Sequence, residues 1–192
     1  MNDIQLNSSE TYTTTKWSGG KTSELFIYPG GSNFKQGNFS LRISIATVEV
    51  DSSEFTSLPD VRRTLMVLEG TLKLEHFGHH SCELLPFEQD EFSGDWSTKS
   101  WGKVTDFNVM TKNDTKTIVQ KIDLIANETL ALTAAFDLQF IYVQSGLIQI
   151  GELIVSKGNS IVINNLSYVK VVSGNQFELT ELVLISADFN LK

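Results

Sequence analysis

The chain alternates hydrophobic and polar residues in short stretches, with the period of two that β-strands have. In LRISIATVEV, Leu41, Ile43 and Ile45 fall on one face, whereas Arg42 and Ser44 fall on the other. Similar stretches, rich in β-branched residues and bounded by Gly, Asn or Asp, are RTLMVLEGTLKLEH, VTDFNVMT, LQFIYVQSGLIQIGELIV and NSIVINN. Long stretches with the period of an amphipathic helix are missing. The pattern predicts an all-β chain, folded as a barrel or a sandwich.

The chain also contains a faint internal repeat, in which an apolar strand is followed by a glycine and a second strand. The first copy is LMVLEGTLKLEH followed by CELLPFEQDEFSGD, and the second is FIYVQSGLIQI followed by GELIVSKGNSIVINN. Gly70 and Gly146 have the same place in the two copies. The polar segment TKNDTKT lies between them and is typical of a connection. The sequence therefore predicts two successive β units, residues 1–113 and 114–192.

Composition and charge narrow the range of partners. The 192 residues carry a formal net charge of −8, which argues against nucleic acid or an anionic membrane because both require a basic surface. No apolar run approaches the ~20 residues of a membrane helix, and MNDIQLNSSETY lacks the basic and apolar regions of a signal peptide. The single cysteine, Cys82, excludes an internal disulfide. We therefore expect a cytoplasmic protein with no nucleic acid and no membrane as partner.

Several segments carry a resemblance to known families. The VLEG-type hairpin resembles the most recognisable segment of the cupin barrel. The segments WSGGKTSELFIYP, RISIATVE, FTSLPDVRRTLMVLEG and FSGDWSTKSWGKVTDFNVMTK together resemble the HutD/Ves family, in the family's order and over most of residues 17–112. This resemblance implies a bicupin, that is, an all-β chain with two cupin-like double-stranded β-helix barrels, the C-terminal one degenerate and mainly structural.

The same resemblance implies an accessory or regulatory role. In some relatives this role is linked to histidine utilisation, and in others it is linked to environmental stress. For the first group, urocanate or formiminoglutamate would be the ligand, and both carry carboxylates.

The standard metal-ligand positions of cupins are replaced in this chain. In metal-binding cupins an H-x-H motif is followed by a glutamate and six further residues before the hairpin glycine, and this spacing leads from Gly70 to Arg63 and from Gly146 to Gln139. The preceding FTSLPD contains no histidine. The resemblance thus implies no metal and no other cofactor, with the permanent charge of Arg63 at the position of a metal ligand.

Arg63 is therefore the leading candidate for binding a small anion. A guanidinium recognises a carboxylate through two parallel hydrogen bonds. The alternation places Arg42 with Ser44, and Asp106 with Asn108, on single faces of their strands. Mixed faces of this kind, turned into a small barrel, predict a site for a small anionic metabolite.

An alternative explanation of the arginines stays open at this point. Because buried charges are normally paired, Arg42 or Arg63 could be satisfied internally by Glu24, Asp95 or Asp106, with no ligand. The residues that the sequence predicts to bind a ligand are Trp17, Thr22, Glu24, Arg42, Ser44, Arg63, Asp95, Asp106 and Asn108.

Two glycine- and tryptophan-containing loops have both a functional and a structural interpretation. In WSGGKTSEL, Gly19 and Gly20 permit positive φ or close backbone approach, and Trp17 offers a stacking face or a pocket wall. Thr22 and Glu24 alternate onto one side of the next strand. The loop could close a barrel mouth, or it could be a tight turn with a core tryptophan. In SGDWSTKSWG, Asp95 either caps a turn or faces the cavity.

All three histidines occur in EHFGHHSC, at positions 76, 79 and 80, two residues before Cys82. Imidazole and thiolate groups bind zinc, but a turn does not place His76 and His80 on one face as a helix would. We therefore interpret the segment as an exposed turn rather than a metal site.

Three classes of function are compatible with these observations. The sequence favours a metal-free module that binds a small anionic metabolite. The alternatives are a metal-free isomerase or hydrolase that uses Glu24, Asp95 and Asp106, and a structural protein without a ligand. Catalysis is the less favoured class because every histidine lies in one loop. Edge strands could also pair subunits into a homo-oligomer.

Overall fold

The chain is built from β-strands joined by turns, as seen in a computed structural model that describes residues 3–133, 135–164, 168–173 and 179–189. The all-β prediction is confirmed. Two single-turn 3₁₀ helices span Ser9–Thr11 and Phe34–Gln36. No helix in these described ranges is long and apolar enough to cross a membrane. The strands are β1 Asp3–Asn7, β2 Thr13–Trp17, β3 Gly20–Tyr28, β4 Leu41–Val48, β5 Ser52–Glu54, β6 Arg62–Glu69, β7 Leu72–His76, β8 Ser81–Leu84, β9 Gln89–Ser93, β10 Thr98–Trp101, β11 Thr105–Thr111, β12 Lys116–Leu124, β13 Thr129–Thr133, β14 Leu138–Ser145, β15 Leu147–Ile150, β16 Leu153–Ser156, β17 Ser160–Asn164, β18 Tyr168–Ser173 and β19 Thr180–Asp188.

The first of two compact units is Thr13–Thr115. It has a six-stranded sheet in the order β2-β3-β4-β11-β6-β9 and a four-stranded sheet in the order β5-β10-β7-β8. Side chains at alternate positions of the two sheets meet in an apolar core, as the period of two requires. This core contains Leu65, Val67, Leu72, Leu74, Leu84, Phe92 and Val104.

The second unit combines the chain from Lys116 onward with the segment that ends at Tyr12. Its sheets have the orders β1-β17-β14-β19-β12 and β13-β18-β15-β16. The segment joins this unit because β1 pairs antiparallel with β17, and because the Tyr12 hydroxyl donates to the Ser160 hydroxyl at 2.9 Å. This division differs from the predicted boundaries, which placed residues 1–113 in one unit.

The internal repeat seen in the sequence corresponds to a repeated strand order. The order β4-β11-β6-β9 in the first unit has its counterpart in β12-β19-β14-β17, and β5-β10-β7-β8 has its counterpart in β13-β18-β15-β16. Gly70 and Gly146 both have positive φ, at 91° and 74°, directly after the corresponding strands β6 and β14. Residues of these repeated strands can therefore be compared between the two units.

Gly20 is a position where the sheet has no room for a side chain, and this yields a first testable prediction. At the start of β3 its φ is +152°, and a Cβ there would overlap the carbonyl oxygen of Thr47 in β4. We expect Gly20→Ala to lower the free energy of unfolding by about 1–3 kcal/mol, since the backbone must shift or stay strained. Urea unfolding followed by circular dichroism measures the change.

Gly30→Ala is the matched control, because a Cβ at Gly30 would meet nothing within 4 Å. It should change the free energy of unfolding by less than about 1 kcal/mol. Equal destabilisation by the two substitutions would contradict the close approach between β3 and β4.

Candidate functional site

The inner face of the six-stranded sheet carries a group of polar side chains in the first unit. The register places Asn108 of β11 between Ser44 of β4 and Leu65 of β6, and Met110 between Arg42 and Arg63. Leu65 belongs to the apolar core, so its face is turned toward the four-stranded sheet. We call the polar group on this face the guanidinium cluster, and it consists of Glu24, Arg42, Ser44, Arg63, Asp106 and Asn108.

Arg42 is satisfied within the protein. Its Nε donates to the Glu24 carboxylate at 2.7 Å, and its Nη1 donates to the Ser44 hydroxyl at 3.2 Å. The guanidinium also lies 4.1 Å from the ring centroid of Phe34. The alternative of internal pairing therefore holds for Arg42, with Glu24 as its partner.

Arg63 lies in a different environment although it is equally buried. Its Nη2 donates to the Asn108 side-chain oxygen at 2.8 Å, whereas its Nε is buried without a hydrogen-bond partner in the described part of the chain. The rings of Phe55 and Phe92 lie 4.5 and 5.1 Å from the guanidinium carbon. Buried donors are almost always satisfied in folded proteins. The free donor of Arg63 is the feature that most directly suggests a ligand.

Asp106 completes the electrostatics of the cluster. It is 4% exposed, and one of its carboxylate oxygens accepts a hydrogen bond from Asn108 at 2.6 Å. Burial raises the pKa of Asp106 to about 6, although the Asn108 hydrogen bond and the charge of Arg63 both act in the opposite direction. Burial likewise lowers the pKa of Arg63 to about 10, so this guanidinium keeps its charge near neutral pH.

The remaining residues of the predicted site lie at its edge or outside it. Trp17 is 39% exposed at the end of β2, and its indole nitrogen donates to the Thr22 hydroxyl at 3.2 Å. Thr22 pairs with Ala46 and faces the same side as Glu24. Asp95 is exposed in the turn after β9 and takes no part in the cluster's hydrogen bonds. The structure thus brings six of the predicted residues together and leaves Trp17, Thr22 and Asp95 apart.

The second unit builds the same sheet without this polar group. By the paired registers of β6 with β11 and of β14 with β19, Arg63 corresponds to Gln139 and Asn108 corresponds to Leu184. In the same way Asp106 corresponds to Leu182, and both leucines are buried in the core of the second unit. Gln139 is itself buried and polar: its amide nitrogen donates to the Ser186 hydroxyl at 3.3 Å, and its oxygen has no hydrogen-bond partner among the described residues. The fold therefore does not require a charge at the position of Arg63 or polar residues at those of Asp106 and Asn108, which favours a functional reason for them.

The histidine segment forms a second polar group. His76 ends β7 and is 2% exposed, so the prediction of an exposed turn is wrong for His76, although His79 and His80 do follow in an exposed turn. The His76 Nδ1 lies 2.7 Å from the Thr98 hydroxyl, and its Nε2 lies 2.9 Å from an oxygen of Asp90. Burial lowers the pKa of His76, while Asp90 opposes this shift. Sequence spacing does not indicate these contacts, because β10 and β9 supply them.

The groups considered for catalysis do not assemble into one centre. Glu24 is paired with Arg42, Asp106 is bonded to Asn108, and Asp95 is exposed elsewhere. Burial raises the pKa of the Cys82 thiol to about 11, so it is protonated at neutral pH. The structure therefore shows neither a carboxylate pair nor an activated thiolate in this part of the chain.

Comparison with protein families gives a direct assignment. The HutD family model matches residues 9–180. The chain belongs to the HutD family. A relative from Pseudomonas putida, described as an uncharacterized 21.2 kDa protein in the hutC 3′ region, is 30% identical to this HutD-family chain over 115 residues. That match covers 57% of the chain and 59% of the relative, so the chain spans little more than half of the relative's length.

Solved structures show which fold this HutD-family chain has. A conserved protein of unknown function from Pseudomonas aeruginosa PAO1 is similar with a TM-score of 0.82 at 20% identity, over 97% of the chain and 99% of the other. HutD from Pseudomonas fluorescens SBW25, in a formate condition, is similar with a TM-score of 0.76 at 18% identity, over 97% of the chain and 98% of the other. The bacterial pirin YhhW from Escherichia coli, in complex with nickel(II), is similar with a TM-score of 0.74 at 12% identity, over 96% of the chain and 98% of the other. The fold is thus all-β and cupin-like.

Proposed function

We propose that the first unit binds a small carboxylate metabolite through Arg63, without a metal ion. The free Nε of Arg63 is the observation that carries this proposal. Nε and one Nη of a guanidinium form the fork that matches a carboxylate, and Nη2 already has Asn108 as a positioning partner. The rings of Phe55 and Phe92 flank the guanidinium and would keep water from competing with the ligand.

The difference between the two units supports this assignment. Among the described residues, no carboxylate oxygen lies within 4.0 Å of a guanidinium nitrogen of Arg63, whereas Arg42 has Glu24 as its counter-ion. The Asp106 charge acts on Arg63 only from beyond that distance, with Asn108 between them, so Arg63 lacks a direct counter-ion, and a buried cation in that position is unfavourable. The second unit avoids that arrangement with Gln139, Leu182 and Leu184, and we propose that it is a mainly structural barrel in a bicupin.

Membership of the HutD family supports a role connected with histidine utilisation. Urocanate and formiminoglutamate are carboxylates, and HutD from Pseudomonas fluorescens was solved in a formate condition, formate being the smallest carboxylate. We propose an accessory or regulatory protein of the cytoplasm that senses such a metabolite. Its partner would be this small anion, with no nucleic acid or membrane involved.

The proposal is tested with EDTA-treated protein in thermal unfolding against formate, acetate, urocanate and formiminoglutamate. A ligand that binds only the folded state adds ~2.7 kcal/mol of stability at a hundred times its dissociation constant. We expect at least one carboxylate to raise the unfolding midpoint, and chloride at equal ionic strength to leave it unchanged. An unchanged midpoint with every carboxylate would contradict the proposal.

The affinity for the carboxylate should depend on pH through Asp106. Because the pKa of Asp106 is about 6, this group becomes negative as pH rises from 5 to 7, and it then repels an anion at Arg63. A unit charge at about 8–12 Å contributes ~1.4–2 kcal/mol at an effective dielectric constant of about 20. We therefore expect about tenfold weaker binding at pH 7 than at pH 5, measured by calorimetry.

Asp106→Asn provides the control for this pH dependence. The amide can still accept the hydrogen bond from Asn108, but it has no charge to gain. Affinity in this variant should be nearly constant between pH 5 and 7. A pH dependence that persists in the variant would assign it to another group.

A metal-free isomerase or hydrolase is the second candidate, and one observation favours it. A carboxyl group whose pKa is about 6 is suited to general acid–base chemistry near neutral pH. Turnover of a bound carboxylate that is lost in Asp106→Asn, with binding retained, would support the enzyme. Binding without turnover would support the sensor.

A further inference from the structure

Three potential metal ligands converge between β9 and the end of β7 in the first unit, and none of them belongs to the guanidinium cluster. They are one nitrogen each of His76 and His80 and one oxygen of Asp90, and these atoms lie within 4.8 Å of one another. None of them occupies the position of the cupin glutamate ligand, where this chain has Arg63. His76 belongs to the four-stranded sheet and Asp90 to the six-stranded sheet, so one ion would link the two.

The hydrogen bonds around His76 orient it as a ligand. Without an ion, the His76 Nε2–H donates to an Asp90 carboxylate oxygen at 2.9 Å, because a carboxylate only accepts. Once an ion replaces that proton, Nδ1 carries the N–H and can donate to the Thr98 hydroxyl, 2.7 Å away, which itself donates to the Trp96 carbonyl oxygen at 3.3 Å. Metal-bound histidines typically have such a second partner, which fixes the tautomer and the ring orientation.

His80 completes the set from the open side. Its Nε2 lies 3.0 Å from both carboxylate oxygens of Asp90. The side chain of His76 is 0% exposed, whereas those of Asp90 and His80 are 16% and 41% exposed. Because His80 and Asp90 are partly exposed, an ion can reach the buried nitrogen of His76 from solvent. A water molecule can then take the fourth coordination position.

Aromatic packing holds the imidazoles in place. The ring of His76 lies 4.4 Å from that of Phe92, and it lies 4.7 Å from the ring of His80. His79 is not in the group of converging ligand atoms, and its ring stacks on that of Trp96, with ring centroids 3.7 Å apart. His79 therefore packs on Trp96 and is not one of the three ligands.

We propose that His76, His80 and Asp90 bind a first-row divalent cation, with zinc as the ion that their chemistry fits best. Two neutral imidazoles and one carboxylate are ligands that zinc takes at distances of about 2.0–2.2 Å. The ligand atoms are close enough to contract onto such an ion by small side-chain rotations. Because the ion connects β7 with β9, it stabilises the folded state.

The test uses the full chain, stripped of metal with EDTA and then dialysed. Calorimetry with zinc should show one equivalent bound, and thermal unfolding with zinc should show a higher midpoint than without it. Cobalt(II) should give the intense visible absorption of a four-coordinate site. Absence of saturable zinc binding would overturn the proposal.

The variants assign the binding to particular side chains. His80→Ala and Asp90→Asn should weaken zinc binding by more than the ~10- to 100-fold that loss of a second-shell partner causes. His79→Ala is the matched control and should bind zinc as the original chain does. Equal weakening in all three variants, or unchanged binding in His80→Ala, would overturn the assignment.

Discussion

Arg63→Gln is expected to abolish detectable carboxylate binding while the first unit stays folded. The substitution removes both the charge and the fork of donors that we assign to the ligand. Gln139 occupies the corresponding place in the second unit, so the sheet accommodates glutamine there. The amide can also donate to the Asn108 oxygen in place of Nη2.

The size of the effect follows from the hydrogen bonds that are lost. A charge-assisted hydrogen bond contributes about 1.5–3 kcal/mol, which corresponds to a 10- to 150-fold change in affinity for each bond. A bidentate pair loses both bonds together. Calorimetric titration with the carboxylate that stabilises the original chain measures the difference, at pH 5 where binding is strongest.

Two further variants make this result specific. Arg62→Gln removes an equal charge from the adjacent exposed position and should leave the affinity within a factor of two or so, because solvent screens it. Arg63→Lys keeps the charge but lacks the planar fork, and should give an intermediate loss. Unchanged affinity in Arg63→Gln would contradict the assignment of the site.

Leu74→Ala is expected to produce the largest loss of stability in the first unit. Leu74 is 0% exposed and lies in the core where the two sheets meet. Truncation of a buried leucine removes its transfer free energy and leaves a cavity, which together cost about 2–5 kcal/mol. Urea unfolding should show a lower midpoint with an unchanged slope.

Leu85→Ala is the control for this effect. Leu85 lies eleven residues further along the chain and is 51% exposed. Its truncation should change the free energy of unfolding by less than about 0.5 kcal/mol. A similar loss in both variants would contradict the packing of the four-stranded sheet on the six-stranded one.

The guanidinium cluster could be predicted from the sequence because strands have a simple geometry. A period of two places Arg42 with Ser44, and Asp106 with Asn108, whatever the surrounding topology. The spacing from the hairpin glycine then identified Arg63. Which arginine has a counter-ion could not be predicted, because Glu24 reaches Arg42 across two paired strands and chain separation gives no sign of this contact.

The histidine group shows where sequence reasoning fails. EHFGHHSC is typical of a turn, and the turn is present, but β7 extends to His76 and buries it. Its partners Thr98 and Asp90 come from two other strands, and one of them lies in the opposite sheet. The pairing of β1 with β17 is missed for the same reason, since long-range strand pairing leaves no local signature.

The most direct test of the central claim is nitrogen-15 NMR of the Arg63 side chain during a carboxylate titration. The Nε–H signal is assigned by its absence in Arg63→Gln, and EDTA is present throughout. The account predicts that this signal shifts and saturates with the carboxylate, while chloride at equal ionic strength leaves it in place. A carboxylate that binds the protein but leaves the Arg63 Nε–H signal unmoved would contradict it.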